Sequence, residues 1–168
     1  MRPYPDTFSR YLPVDSRARK WGWNLMDAGR QHIAAGAPYP GKGHPLGYLF
    51  AADGRRTLDE YQVVFIASGK GTFSSKSQST RNIRAGDALI LFPGEWHQYS
   101  PDPDTGWTEY WMGFKGTDAE RIMQAFFSPK TPVQRGSMGA ELIRQFDRLI
   151  QWLKKSIPER ELILASHI

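Results

Sequence analysis

His97 and Tyr99 stand two residues apart, just after a Pro93-Gly94 turn, so an extended chain sets an imidazole and a phenol side by side on one face. Glu109 and Trp111 repeat that spacing further on. A phenol that donates or accepts, a carboxylate that accepts two hydroxyls and an indole face that takes C–H groups would together suit a sugar. Each has a plainer reading too: Trp111 as core, Glu109 as a salt bridge at a rim, His97 as a structural residue beside a turn. Gln62 is the lone amide inside an apolar run, and period two leaves open whether it faces inward. Metal chemistry is not expected. The other histidines are His32, His44 and His167, none of the four stands in a His-x-His pair, and there is no cysteine. A first-row metal needs three or four converging N or O ligands.

These residues must be positioned by short strands. Ala85-Gly86-Asp87 and Pro93-Gly94 bound the apolar run Ala88 to Phe92. Tyr61 to Ala67, rich in β-branched and aromatic residues, predicts a strand ending at Ser68-Gly69-Lys70-Gly71, and Gly71-Thr72-Phe73 restarts one into a polar hairpin over Ser74 to Thr80. Trp21 to Leu25 and Leu46 to Ala51 are further strand candidates. In Trp107 to Phe114, period two puts Trp107, Glu109, Trp111 and Gly113 on one face and Thr108, Tyr110, Met112 and Phe114 on the other. Such spacing with Gly/Pro turns predicts an antiparallel sandwich or barrel. After Gly116, Thr117 and Glu120 resemble a capping box opening a helix to about Phe127. A second helix is expected from near Ser137, and a third is expected to begin at Glu159, after Pro158. Leu142, Phe146, Leu149 and Leu153 recur at four-three-four spacing there, as a dimer seam or as a face packed on the barrel.

The 168 residues are 40% hydrophobic and 23% charged, which fits one full core with an appendage and excludes disorder, collagen and coiled coil for the whole chain. No apolar run approaches the ~20 residues that cross a bilayer, and the N-terminus lacks a secretory h-region, so a cytoplasmic location without membrane contact is expected. Net charge is +5. Lys and Arg are scattered, however, and none falls between Ala85 and Phe114, so no basic groove for nucleic acid is visible.

The glycine turn, apolar strand, Pro-Gly turn and histidine at Gly86, Pro93, Gly94 and His97 resemble the second cupin motif, without the His-x-His and Glu of metal-binding cupins. A wider series, Glu60 to Phe65, Gly69-x-Gly71-x-Phe73, Gly86 to Tyr99 and Trp107 to Phe114, with His44-Pro45 before it, resembles the N-terminal sensor domain of AraC-family transcriptional regulators. That resemblance implies a mainly β, cupin-like double-stranded β-helix barrel over 1–115 with an N-terminal arm. It further implies a helical dimerisation segment over 116–168, no catalysis or cofactor, and DNA contact only through a C-terminal domain that does not follow Ile168 here. The ligand positions it carries over are Tyr99, Glu109 and Trp111, with Gln62, His97 and His44 as weaker candidates. The effector expected is a small molecule, a sugar or oligosaccharide, whose binding orders an arm containing Phe8 and Tyr11 over the barrel mouth. A small sugar isomerase or epimerase of cupin type is the competing expectation, and a stand-alone carbohydrate-binding module a third.

Overall fold

The computed structural model describes residues 7–13, 22–136 and 139–155. Among these residues eight strands run in chain order: β1 (Phe8–Tyr11), β2 (Asn24–Ile33), β3 (Tyr61–Ser75), β4 (Gln78–Arg84), β5 (Asp87–Leu91), β6 (His97–Pro101), β7 (Trp107–Lys115) and β8 (Val133–Arg135). Helix α1 (Thr117–Phe126) lies between β7 and β8, and α2 (Gly139–Lys154) follows. The main sheet has the order β1-β2-β7-β3-β5-β8, and the far half of β3 also pairs with β4 and β6. All the pairings are antiparallel. The result is a mainly β, cupin-like barrel with helices after it.

β3 is the strand that closes the barrel. Its first half pairs with β5 and β7; past a bulge at Ile66/Ser68 its second half pairs with β4 and β6. The chain therefore does not stop at Ser68 to Gly71, as the glycines suggest, but bends there and continues as one strand of 15 residues. Val64, Ile66, Phe73, Ile83, Leu89, Leu91, Trp107 and Trp111 fill the interior between the two sheets.

The outer face of the main sheet is apolar as well, and the helices cover it. Ala119 and Met123 of α1 pack on Tyr61, Ile90 and Phe114. Phe146 and Ile150 of α2 pack on Phe65 and Tyr110, and Leu149 and Leu153 pack on Leu25 and Ala28. Leu142 is half-buried against the same surface. The four-three-four seam thus faces its own barrel: Tyr110, Met112 and Phe65 need cover, and burying each such side chain stabilises by about 1.5–3 kcal/mol. Arg30 of β2 donates to Asp147 at 2.5 Å, and Arg10 donates to the Leu153 carbonyl, pinning the helix at its polar edge.

Several local expectations are corrected. Leu46 to Ala51 is no strand: Leu46–Tyr48 is a single 3-10 turn, its amides bonding back to Pro45 and Leu46, with Leu46 exposed. Among the described residues no strand pairs with it. At α1, Gly116 is the N-cap and no side chain caps the helix, so the Thr117–Glu120 box does not form. The short β8 against β5 carries no sequence signal of its own. Trp21, Ser137, Pro158, the third helix expected from Glu159, and His167 lie outside the described residues.

Candidate functional site

Side chains alternate across the barrel wall, so the inward positions of three adjacent strands form rows. Asp27, Gly113 and Gln62 make one row; Gly29, Trp111 and Val64 the next; Gln31, Glu109 and Ile66 a third. Two glycines make the rows possible. A Cβ on Gly29 would overlap the Trp111 indole and the Phe8 carbonyl, and a Cβ on Gly113 would overlap Oδ2 of Asp27. The missing side chains let Trp111 lie across β2 and let a carboxylate tuck against β7.

These rows line a small, partly open cavity of about 20 Å³, room for little more than a water molecule while Tyr39 fills it. It is lined by Gln31, Gln62, Glu109 and Trp111 from the wall and Tyr99 from β6. Tyr39, His44, Tyr48, Phe50 and Arg56 reach in from the connection between β2 and β3, and Tyr11 from β1. Gln62 therefore faces inward. Glu109 is 2% exposed; Gln31 donates to it at 2.5 Å and the Tyr39 hydroxyl lies 3.2 and 3.1 Å from its two oxygens. Burial pushes the Glu109 carboxyl up to about 7, against the lowering effect of the Gln31 and Tyr39 hydrogen bonds and of Arg56.

Arg56 is the hub. Its Nε donates to His97 Nε2 at 3.1 Å, Nη1 to the Tyr48 carbonyl at 2.9 Å, and Nη2 to Tyr99 Oη at 2.7 Å and Gln62 Oε1 at 3.3 Å. The guanidinium also lies 4.8 Å from the centre of the Phe50 ring. His97 does not line this cavity. It stands behind Arg56, its Nδ1 3.2 Å from the Glu95 carbonyl, so the neutral Nδ1–H tautomer satisfies both bonds. Burial, with Arg56 beside it, pushes His97 down to about 3. It positions the arginine and the Tyr99 ring, which it stacks on with centroids 6.0 Å apart. His44 does line the cavity. Its Nδ1 shares a 2.5 Å hydrogen bond with the Tyr11 hydroxyl, and its ring lies 5.5 Å from Trp111. Burial and then Arg56 lower its pKa.

At the end of the barrel floor lie two more carboxyls. Asp27 is 0% exposed; Oδ1 accepts from Gln62 at 3.0 Å, Oδ2 makes no well-formed hydrogen bond among the described residues, and the Tyr48 hydroxyl stands beside the carboxylate. Glu60 accepts from Tyr48 at 2.6 Å and lies 3.9 Å from Lys115 Nζ. Burial, and then the charge of Glu60, push Asp27 up to about 7. Among the described residues no group of three or more His, Cys, Asp or Glu is arranged to hold a metal.

Sequence reasoning reached Tyr99, Glu109, Trp111, Gln62 and His44 as cavity residues and missed Arg56, Tyr39, Gln31, Asp27 and Glu60. Arg55-Arg56 reads as a solvated turn. The backbone settles it: Arg56 exchanges both main-chain hydrogen bonds with His97, which turns Arg56 inward and leaves Arg55 outside. The signal that was available is the hydropathic mismatch of Asp27 and Gln31 inside an otherwise core-forming strand. The arm divides: Tyr11 reaches the cavity, whereas Phe8 packs outside against α2.

A barrel with a polar, partly open interior and helices on its outer face defines a cupin-like ligand-binding domain. Residues 48–168 match the family described as AraC-like ligand binding domain, and the chain belongs to that family. It is 26% identical over 147 residues to the MmsAB operon regulatory protein of Pseudomonas aeruginosa, covering 83% of this chain and 47% of that protein. It is 28% identical over 123 residues to the Msm operon regulatory protein of Streptococcus mutans, covering 73% and 43%. Over 61 residues it is 36% identical to the raffinose operon transcriptional regulatory protein of Pediococcus pentosaceus, covering 36% and 22%. The chain thus spans about half or less of the relatives it matches. Among solved structures, a cupin protein from Bacteroides fragilis superposes with a TM-score of 0.44 at 19% identity, over 68% of this chain and 86% of that one. A cupin 2 barrel protein from Salinispora arenicola gives 0.39 at 18% identity, over 71% and 84%. No helix among the described residues is long and apolar enough to cross a membrane.

Proposed function

We propose that this chain is the effector-sensing part of a cytoplasmic transcription regulator and that it binds an uncharged sugar or small oligosaccharide without chemically altering it. The observation that carries this reading is Glu109: a buried carboxylate beside the Trp111 indole, its oxygens held by Gln31 and by the hydroxyl of Tyr39. Sugar hydroxyls donate to a carboxylate as that phenol does, while a tryptophan face takes the C–H side of the ring. In this reading the effector takes over the place of the Tyr39 hydroxyl on Glu109, and Arg56, held by His97, keeps Tyr99 and Gln62 in position around it.

The family supports a sensing role, and the name of one relative, a raffinose operon regulator matched over 61 residues, makes raffinose and other α-galactosides the first candidates. Operator binding would belong to a separate domain of the regulator. A homodimer would use a surface other than Leu142, Phe146, Leu149 and Leu153, which cover the barrel. Calorimetric titration with a panel of neutral mono- and oligosaccharides tests the ligand class. Saturable binding that weakens in Trp111→Ala supports it; no binding by any neutral sugar refutes it. Sedimentation of the chain at high concentration tests the dimer, and a monomer there counts against it.

A further inference from the structure

The formal charge of the chain is +5, yet three carboxyl side chains, Asp27, Glu60 and Glu109, are buried at or behind the wall of the cavity. Asp27, Glu60 and Glu109, from or beside three adjacent strands, are 0%, 5% and 2% exposed; Glu109 lines the cavity, and Asp27 and Glu60 stand behind it, accepting from the lining residues Gln62 and Tyr48. Opposing them are Arg56, and Lys115 at the far end, 3.9 Å from Glu60. The two histidines near the cavity, His44 and His97, are held neutral by burial. Arg56 is the group that would ordinarily receive an anion, but four of its five N–H donors are already given to His97, Tyr48, Tyr99 and Gln62. An incoming phosphate would have to break that set, beside the Glu109 carboxylate that lines the cavity and with Asp27 one hydrogen bond behind Gln62.

Resting on the sugar reading above, we propose that the cavity selects its effector by charge, accepting the neutral sugar and rejecting its phosphate ester and its uronic acid. The consequence is a place in a reaction sequence. A phosphoryl transfer to the effector, or its oxidation to the acid, converts a ligand into a non-ligand and ends the signal. The regulator then reports the sugar before the first charge-adding reaction and not after it. Burial holds Asp27 and Glu109 near the point of protonation, so an anion that does enter must bring a proton with it. Discrimination therefore narrows on acidification.

The test is a matched titration of the chain at constant ionic strength with one neutral sugar, its phosphate monoester and its uronic acid. The acid differs from the sugar by little more than charge, which separates electrostatics from size. An anion about 5 Å from the buried Glu109 carboxylate of the cavity wall is expected to bind at least about thirtyfold more weakly at pH 8. The isosteric Asp27→Asn should narrow that ratio several-fold. Equal or tighter binding of either anion, or an unchanged ratio in Asp27→Asn, overturns the proposal. If no neutral sugar binds, the sugar reading fails by itself, and the charge rule is read from inorganic phosphate and acetate through the Trp111 indole NMR signal, assigned with Trp111→Phe. No saturable shift upholds the rule, and a saturable shift with either anion refutes it.

Discussion

Asp27 and Glu109 give the interior a stability signature opposite to that of most acidic side chains. Burial raises Asp27 from 3.8 to about 7 and Glu109 from 4.5 to about 7. A carboxyl whose folded pKa is raised binds a proton in the native state that the unfolded chain does not hold. Its contribution is complete below the unfolded pKa and is lost as pH rises through about 7. Between pH 8 and pH 5.5 each group should therefore add about 2 kcal/mol of stability, at about 1.4 kcal/mol per pH unit below the folded pKa. His97 acts in the opposite sense. Pushed from 6.5 down to about 3, it stays neutral when folded, so acidification below 6.5 costs about 1.4 kcal/mol by pH 5.5. His44 shifts in the same direction. The wild-type profile is thus a partial cancellation, and the informative quantity is a difference between proteins. Asp27→Asn keeps the shape and removes the proton site. Relative to wild type it should lose about 2 kcal/mol on going from pH 8 to pH 5.5, or roughly 4–8 °C in Tm for a domain of this size. Thermal or urea unfolding across that range measures it. Parallel wild-type and Asp27→Asn profiles would refute the assignment of the raised pKa to Asp27.

Gly113→Ala would drive a Cβ into Asp27 Oδ2, whose carboxylate is enclosed on all sides, and should destabilise the barrel by about 1–3 kcal/mol in urea unfolding. Leu153→Ala should cost about 2–5 kcal/mol, because that side chain is fully buried between α2 and the sheet, and should leave the sedimentation coefficient of the folded protein unchanged. Tyr39→Phe removes a hydroxyl that lowers the Glu109 pKa, so carboxyl titration by NMR should place Glu109 above its wild-type value.

The strands with one sided chemistry were legible from sequence because period two sorts them without help. Trp107, Glu109, Trp111 and Gly113 do face the interior, while Tyr110, Met112 and Phe114 do lie under the helices. What sequence does not reveal depends on contacts between distant segments. Nothing local turns Arg56 inward; its main-chain pairing with His97, 41 residues away, does so. Tyr39 enters the cavity because its connection crosses the mouth, where Gly41 passes so close to Gln31 that a Cβ would overlap its side chain. The apolar seam on α2 reads alike for a partner helix or for a sheet, and only the bare outer face of β2, β3 and β7 decides between them. The run from Leu46 to Ala51 misleads for a related reason. Its large side chains look like a strand, yet Tyr48 and Phe50 serve the cavity from a segment that pairs with no strand among the described residues.

Calorimetric titration of wild-type and Glu109→Gln chains with neutral sugars, α-galactosides included, tests the central claim most directly. Saturable binding of at least one sugar is expected, weakened about tenfold or more by the substitution, because a hydrogen bond to a buried charge is worth about 1.5–3 kcal/mol. Failure of every neutral sugar to bind, or binding that is indifferent to Glu109→Gln, would contradict it.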